Sequence, residues 1–209
     1  MPEGGTRDLP DVTAIVVTYN HGADLARCVK SLWAAGGPLS EVIVVDNGGD
    51  CEVAERLAAE GMARLVRPGV NIGFGAGCNL AAREAIGGIL FFVNPDADVW
   101  PGCTTALAGA LADPGVGIAC ARLRLHAEPT LLNGIGTCIH PIGISWAAGY
   151  RTPVAALDAD REIATASGAA MAMRAEVFRE LGGFREEFFL YHEDAELSWR
   201  ARLAGYRIV

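Results

Sequence analysis

The stretch that decides the fold is Gly88-Ile89-Leu90-Phe91-Phe92-Val93-Asn94-Pro95-Asp96-Ala97-Asp98. Its first half is continuously apolar rather than alternating, which is typical of a strand buried on both faces of a sheet. Such strands belong to mostly parallel sheets covered by helices. The polar half follows the carboxyl end of the strand, where open α/β sheets bind their ligands.

Upstream of this stretch, the same kind of apolar run alternates with helical patterns. The predicted strands are 13–19, 41–45 and 63–67, and the predicted helices are 24–35, 51–59 and 78–86. This alternation predicts an α/β fold with a mostly parallel central sheet. Six polar residues lie at the carboxyl ends of the predicted strands: Tyr19, Asn20, Asp46, Asn47, Asn94 and Asp96.

The second half of the chain is less regular. We predict strands at 115–125 and 165–173, a short helix at 174–181 and an amphipathic helix at 194–204. Residues 130–150 are Gly-rich and aromatic, and their pattern predicts neither a helix nor a strand. The chain stops inside the strand-like run 206–209, so we expect a domain that is incomplete at its carboxyl end or is completed by another chain.

Composition excludes several classes of protein. The 209 residues are 51% hydrophobic and carry a net charge of −8, with a pI near 5.0. Nucleic-acid binding requires a basic surface, so we expect no nucleic-acid partner. The six cysteines form no CxxC pair, which favours a reduced, cytoplasmic protein. No run is apolar and long enough for a bilayer, and peripheral contact with the inner membrane face stays open.

The polar half of the opening stretch is a candidate metal site. Asp96 and Asp98 stand two residues apart, and the amide of Asn94 precedes them. Carboxylate and amide oxygens are hard ligands that suit Mg²⁺ or Mn²⁺. The alternative is a polar turn that caps the next helix, because Asp is common in turns.

A second acidic constellation, Glu193 and Asp194, follows the aromatic run Phe188-Phe189-Leu190-Tyr191 and precedes a helical pattern. A carboxylate beside apolar surface can act as a general base, because partial desolvation raises its pKa. The alternative is that one of the two acids caps the helix.

The glycine run Gly73-Phe74-Gly75-Ala76-Gly77 has two interpretations. It could present backbone N–H groups to a diphosphate at a helix start, or it could be a flexible loop. It is not a dinucleotide fingerprint, because the third glycine position is Cys78. P-loop, HExxH and GxSxG patterns are also missing from the sequence. Their absence disfavours a P-loop nucleoside triphosphatase, a zinc hydrolase and a serine hydrolase.

Taken in order, six stretches resemble the inverting family 2 glycosyltransferases with the GT-A fold, especially their rhamnosyltransferase-like branch. They are Val16-Val17-Thr18-Tyr19-Asn20, Val44-Val45-Asp46-Asn47-Gly48, Asn71 to Asn79, Phe92-Val93-Asn94-Pro95-Asp96-Ala97, Ser167-Gly168-Ala169-Ala170-Met171, and Gly182-Gly183-Phe184 to Arg202. Each motif is weak alone, and their shared order carries the resemblance, which spans about residues 12 to 209.

The resemblance implies an architecture: a three-layer α/β/α sandwich of the nucleotide-diphospho-sugar transferase type. Residues 1–11 would be a polar extension and 12–209 a single GT-A-like domain. Within that domain, 12–100 would be the nucleotide-binding half and 101–209 a truncated acceptor-side half.

The resemblance also implies site residues. Thr18, Tyr19, Asn20 and Asp46 would hold the nucleotide base and ribose, with Asn79 and Asn94 facing the same donor. Asp96 would bind the cation, joined by Asp98, and Asp194 or Glu193 would deprotonate the acceptor. The donor would be a nucleotide-diphosphate sugar of the dTDP-rhamnose or UDP-sugar type. The acceptor would be a glycan, a lipid-linked molecule or a small molecule.

Two departures from the family pattern leave other functions open. Asn94 replaces the first carboxylate of the family's DxD motif, and no histidine follows His192, where family members carry a metal-binding one. A non-catalytic sugar-nucleotide-binding module or truncated pseudoenzyme is therefore the alternative. A nucleotidyltransferase or Rossmann oxidoreductase is a third, and the missing glycine argues against the latter.

Overall fold

The computed structural model describes residues 9–48, 51–140, 142, 144–157 and 161–209, so most of the predicted extension 1–11 lies outside the described residues. Strands within these ranges are β1 Val12–Thr18, β2 Leu39–Asp46, β3 Arg64–Val66, β4 Ile89–Val93, β5 Val116–Cys120, β6 Leu123–Arg124, β7 Leu132–Gly134, β8 Thr137–Ile139, β9 Ser145–Ala147, β10 Ala170–Arg174 and β11 Arg207–Ile208. The helices are α1 Gly22–Ala35, α2 Glu52–Ala59, α3 Phe74–Glu84, α4 Cys103–Ala110, α5 Ala175–Glu180 and α6 Glu193–Leu203, with a 3₁₀ turn at Val154–Ala156.

The main sheet has seven strands in the order β11-β5-β10-β4-β1-β2-β3. Neighbouring pairs among β1 to β4 are parallel, and β11 is parallel to β5. β10 is antiparallel to both β4 and β5. The mostly parallel sheet predicted from the apolar runs is therefore confirmed, with one reversed strand near its centre. β6–β7 and β8–β9 form two small antiparallel pairs beside it.

Helices cover both faces of the sheet. In β1, Ala14 and Val16 pack in the cluster that contains α1, α2 and α4, whereas Ile15 and Val17 pack in the cluster that contains α3, α5 and α6. All seven residues of β1 are buried, as expected for a strand between two helical layers. The predicted α/β/α sandwich is thus confirmed.

Four phenylalanines join the second helical layer to the sheet. The ring of Phe92 on β4 lies 5.0 Å from Phe178 on α5 and 5.1 Å from Phe184. Phe74, the first residue of α3, lies 6.0 Å from Phe184. Tilted rings at these distances add to the stabilisation from apolar burial. The cluster fixes where the segment between α5 and α6 begins.

Three elements differ from the sequence prediction. α4 was not predicted, because its sequence CTTALAGA has no charged face to mark a helix. The expected strand 115–125 is broken, since β5 stays in the main sheet while β6 pairs with β7. The expected strand 165–173 is formed only from Ala170 onward, because residues 168–169 form a turn. β11 occupies the terminal run 206–209 and pairs with β5.

Two leucines of α6 offer a matched test of this packing. Leu197 is 0% exposed and Leu203 is 86% exposed. We expect Leu197→Ala to lower the free energy of unfolding by about 2–5 kcal/mol, because it leaves a cavity in the core. Leu203→Ala should change it by less than about 0.5 kcal/mol. Urea denaturation followed by circular dichroism measures both, and equal losses would contradict the position of α6.

Candidate active site

The chain segments that follow β1, β2 and β4 lie along one edge of the sheet. Thr18 pairs with Asp46, so β1 and β2 end level with each other. β4 flanks β1 on its other side. Because β10 runs in the opposite direction, its first residue, Ala170, pairs with Val93 at the end of β4. The segment before β10 therefore reaches the same edge.

Asp46 ends β2 with a fully buried side chain. Its carboxylate accepts hydrogen bonds from the backbone N–H groups of Gly48 (3.3 Å) and Cys51 (3.1 Å) and from Nε of Arg67 (3.2 Å). Hydrogen bonds to Glu55 and Asp46 raise the pKa of the Arg67 guanidinium, which therefore stays charged. A buried carboxylate requires such partners. Sequence reasoning missed Arg67, although it ends the predicted strand 63–67.

Asn47, the next residue, holds the loop before α3. Its Nδ2 donates to Oδ1 of Asn71 (2.9 Å) and to the carbonyl of Gly73 (3.1 Å). Its Oδ1 accepts from the backbone N–H of Ile72 (3.1 Å). The buried amide thus ties the end of β2 to the start of α3, a structural role that its place at a strand end did not reveal.

The three residues expected from β1 differ in exposure. Thr18 is fully buried, and its Oγ1 has no hydrogen-bond partner within the described residues. Tyr19 is 53% exposed. Asn20 is exposed and has a positive φ of 61°, which Asn tolerates better than most residues. Tyr19 and Asn20 therefore present their side chains at the edge, whereas Thr18 lies beneath it.

The segment after β4 separates its two carboxylates. Asp96 is exposed and forms no ion pair with any described residue. Asp98 accepts a hydrogen bond from Nε of Arg27 at 2.7 Å, and its other oxygen lies 3.6 Å from Nδ1 of His126. The backbone N–H of Asn94 donates to the carbonyl of Ala169 (2.9 Å). Asp96 is thus the free carboxylate of this segment.

This donor set fits a cation that arrives with a substrate. Among the residues that the structure describes, no three His, Cys, Asp or Glu side chains form a metal-binding group. Mg²⁺ is commonly held by only one or two carboxylates together with substrate phosphates. Asp96, exposed at the strand end, is suited to that arrangement.

Asp194 lies in the first turn of α6 and is partly exposed. Its Oδ2 accepts a hydrogen bond from the backbone N–H of Gly168 (2.7 Å), and its Oδ1 accepts from that of Ala195 (2.7 Å). The N-cap position belongs to His192, whose side chain makes no capping hydrogen bond. Asp194 therefore contacts a different segment of the chain as well as its own helix.

Glu193 has the opposite environment. It is 5% exposed, and its Oε2 has no hydrogen-bond partner within the described residues. A Cβ added to Gly75 of α3 would lie 3.7 Å from the Cβ of Glu193, so the two helices are in close contact there. Burial, and secondarily the charge of Asp194, raises the pKa of Glu193 from 4.5 to about 7.

Two hydrogen bonds connect the two acidic constellations. Asn94 donates to Ala169, and the neighbouring Gly168 donates to Asp194. The residues that follow β4 and the first turn of α6 are therefore linked through one turn of chain. The site combines the exposed carboxylate of Asp96, exposed polar residues after β1, and the carboxylate of Asp194 across the turn.

The glycine run begins α3, four residues earlier than predicted. The first helical N–H, that of Phe74, donates to the carbonyl of Phe189 (3.0 Å). Gly73 has a φ of 85°, and a Cβ there would lie 2.3 Å from the same carbonyl oxygen. Only glycine permits this approach. The start of α3 thus binds the aromatic segment before α6, and this contact uses one of the N–H groups proposed for a diphosphate.

Asn79 lies on α3, and both ends of its amide are engaged. Its Nδ2 donates to the carbonyl of Phe184 (2.8 Å) and to Glu186 (3.1 Å), and its Oδ1 accepts from the N–H of Phe184 (2.9 Å). It lines a cavity together with Gly88, which precedes β4. Its contacts thus position the segment after α5, and its contact with a nucleotide stays a prediction of the resemblance.

Residues 13–182 match the family described as "Glycosyl transferase family 2". The chain belongs to glycosyltransferase family 2. The chain is also 27% identical to the N-acetylglucosaminyl-diphospho-decaprenol L-rhamnosyltransferase of Mycobacterium tuberculosis (strain ATCC 25618 / H37Rv), over 227 residues that cover 95% of this chain and 73% of the relative. The predicted family and rhamnosyltransferase-like branch are therefore confirmed.

Solved structures of glycosyltransferases share the fold. The first, GalNAc-T7 with UDP, GalNAc and Mn²⁺, aligns with a TM-score of 0.79 at 15% identity over 97% of this chain and 42% of its own. The second, mannosyltransferase PcManGT from Pyrobaculum calidifontis with GDP-Man and Mn²⁺, aligns with a TM-score of 0.67 at 23% identity over 96% and 54%. The GT-A fold is thereby confirmed, and this family 2 chain spans about half the length of these two structures.

In the described part of the chain, no helix is both long and apolar enough to cross a bilayer.

The buried Glu193 makes stability depend on pH in a defined direction. Between pH 4.5 and about 7, the unfolded chain ionises this carboxyl while the folded chain keeps it protonated. Stability contributed by Glu193 is therefore fully present below pH 4.5 and is lost as the pH rises toward 7, by roughly 2–3 kcal/mol. We expect Glu193→Gln to remove this loss.

The measurement is urea denaturation at pH 5 and pH 8 for wild type, Glu193→Gln and Glu187→Gln, an exposed carboxylate nearby. Relative to wild type, Glu193→Gln should gain stability at pH 8, and Glu187→Gln should keep the wild-type profile. A Glu193→Gln variant with the wild-type pH dependence would disprove the burial of this carboxyl.

Proposed function

We propose that this family 2 chain transfers a sugar from a nucleotide-diphosphate donor to an acceptor hydroxyl, with inversion and with the help of Mg²⁺ or Mn²⁺. The observation that carries the proposal is the Asp194 carboxylate. It is partly exposed and is linked through Gly168 and Ala169 to the turn that bears Asp96. In this proposal Asp194 is the base, Asp96 binds the cation, and the two carboxylates face one site.

The donor nucleotide lies, in this proposal, along the ends of β1 and β2. Tyr19 and Asn20 are exposed there, and the buried Asp46 and Thr18 shape the floor beneath them. Two structures of the same fold hold UDP or GDP-Man with Mn²⁺. These likenesses support the type of donor. Asn94, which follows β4, completes this edge, and Asn79 is proposed from the resemblance alone, because its amide is bound to Phe184 and Glu186.

The cation is held, in this proposal, by Asp96 together with the phosphates of the donor. When bound, a divalent cation offsets the negative charge that develops on the leaving diphosphate. Asn94 stands where a first carboxylate is expected, so the protein supplies less negative charge to the cation. Binding of the cation should therefore depend on the nucleotide.

Asp194 is the proposed base. Its oxygens accept hydrogen bonds from two backbone N–H groups, which orients the carboxylate at the start of α6. It takes the proton of the acceptor hydroxyl as the oxygen attacks the anomeric carbon from the face opposite the diphosphate. Attack from that face inverts the configuration. Glu193 is 5% exposed and is therefore less accessible to an acceptor.

The acceptor is proposed to be lipid-linked. The M. tuberculosis relative is named for an acceptor that carries decaprenol. Phe189, Leu190 and Tyr191, which precede the acidic pair, are each more than half exposed. Exposed apolar side chains beside the base support an acceptor with an apolar part. The proposed donor is dTDP-rhamnose or a UDP-sugar, and the proposed location is the inner face of the membrane.

Nucleotide binding tests the donor site. We expect dTDP or UDP to bind in isothermal titration and to bind at least about tenfold more tightly with Mn²⁺ than without it, because Asp96 and the phosphates would hold the cation together. Asp96→Asn should remove most of that gain, while Glu187→Gln should retain it. Absence of nucleotide binding, or a nucleotide affinity that is the same with and without Mn²⁺, would overturn the proposed donor site.

Substitution of the base separates catalysis from binding. We expect Asp194→Asn to lower kcat for transfer from dTDP-rhamnose to an N-acetylglucosaminyl-diphospho-prenol by at least about 100-fold, the usual range for a general base. Its affinity for dTDP with Mn²⁺ should stay within about twofold of wild type.

Glu187→Gln is the control and should keep full activity. Activity that survives Asp194→Asn would show that Asp194 only orders the start of α6. Tight nucleotide binding with no transfer by the wild type would favour the non-catalytic sugar-nucleotide-binding module.

A further inference from the structure

The chain from Asn94 to Thr104 is hydrogen-bonded along helix α1. Cys28 Sγ donates to the carbonyl of Asn94 (3.4 Å), Arg27 donates to Asp98 (2.7 Å), and the N–H of Val99 donates to Ser31 Oγ (2.9 Å). Further along, the N–H of Gly102 donates to the Ala35 carbonyl (3.1 Å), and Thr104 Oγ1 donates to the Gly36 carbonyl (2.6 Å). Asp96 lies in the part of the segment that these contacts enclose.

Arg27 is the charged member of this set. Its Nε binds Asp98 at 2.7 Å, and its Nη1 binds Asp24 on its own helix at 2.7 Å. The second oxygen of Asp98 lies 3.6 Å from His126. Both oxygens of Asp98 thus have neighbours in the protein, whereas Asp96 has no ion-pair partner among the described residues.

Ser31 is the neutral member. Its hydroxyl donates to the carbonyl of Cys28 (2.8 Å) and accepts the N–H of Val99, so donor and acceptor are both used. Ser31 lies one turn after Arg27 and Cys28 on α1. Three successive points of the 94–99 segment are therefore held by a single rigid element.

We propose that Arg27, Asp98 and Ser31 are positioning residues for the cation site. They hold the 94–99 turn so that Asp96 alone is presented to a cation, and Asp98 serves as the anchor of the turn instead of a ligand. This rests on the proposed function. Helix α1 begins at Gly22, two residues after Asn20, so the same helix adjoins the proposed nucleotide edge and the cation turn.

The experiment measures Mn²⁺ affinity. Free Mn²⁺ is followed by electron paramagnetic resonance as it is titrated into protein saturated with dTDP, after subtraction of Mn²⁺ bound by dTDP alone. We expect Arg27→Gln and Ser31→Ala each to weaken Mn²⁺ binding about tenfold, the usual effect of losing a partner that orients a metal ligand. Arg27→Lys should recover part of the loss.

Asp24→Asn is the matched control, because it removes the partner of Arg27 within α1 and leaves the bond to Asp98. It should bind Mn²⁺ within about twofold of wild type. dTDP affinity measured without metal should be unchanged in all variants, which a general loss of structure would not allow.

The double variant Arg27→Gln/Asp98→Asn distinguishes an anchor from a ligand. If Asp98 only anchors the turn through Arg27, then Asp98→Asn, Arg27→Gln and the double variant weaken Mn²⁺ binding by the same factor, whereas a ligand role would make Asp98→Asn clearly weaker than Arg27→Gln. Losses that add, or wild-type Mn²⁺ affinity in Arg27→Gln, would overturn the positioning role and leave the proposed cation site standing. A wild type that binds dTDP but no additional Mn²⁺ would overturn the proposed cation site and this inference with it.

Discussion

The site depends on the reversed pairing of β10 between β4 and β5. Parallel strands of this sheet send their carboxyl ends to one edge, and a further parallel strand would have placed its preceding loop at the opposite edge. Because β10 is antiparallel, its first residue meets Val93, and Gly168 and Ala169 lie beside Asn94. Gly168 in turn binds Asp194. A single reversed strand thus brings two acidic groups that are far apart in sequence to one edge.

The parallel part of this arrangement could be predicted from the sequence, because the evidence for parallel strands lies in local sequence patterns. Continuous apolar runs marked β1, β2 and β4, and the residues after them necessarily share an edge. The rest depends on contacts between distant residues. No local pattern shows that Arg67 binds Asp46, that Asn47 holds the loop before α3, or that Asn79 anchors Phe184. α4 escaped prediction for a different reason, since a helix of small apolar residues carries no periodic polar face.

The carboxylates at this edge show how neighbours separate residues of one chemical type. Asp46 is buried but is compensated by Arg67, whereas Asp194 is partly exposed with backbone donors. Glu193 is buried, and its Oε2 has no hydrogen-bond partner in the described part of the chain. Burial without compensation favours the protonated form, which explains why the pKa of Glu193 is raised to about 7. Adjacent acids in a sequence therefore have different environments according to which face of the helix start they occupy. That difference results from packing and could not be predicted from the Glu193-Asp194 pair in the sequence.

A site with one free carboxylate can be selective for a cation that binds together with a donor nucleotide. A cage of several carboxylates would bind a divalent cation without substrate, whereas under the proposed function Asp96 alone would need the phosphates of a donor to hold one. Under the proposed function, cation and nucleotide then increase each other's affinity by the same factor, because coupling between two ligands is reciprocal. The rigid attachment of the 94–99 turn to α1 favours this coupling, since the ligand that the protein contributes is already in place when the donor arrives. If the turn were mobile, part of the binding free energy would be needed to order it. The affinity for the cation would then depend less strongly on the presence of the donor.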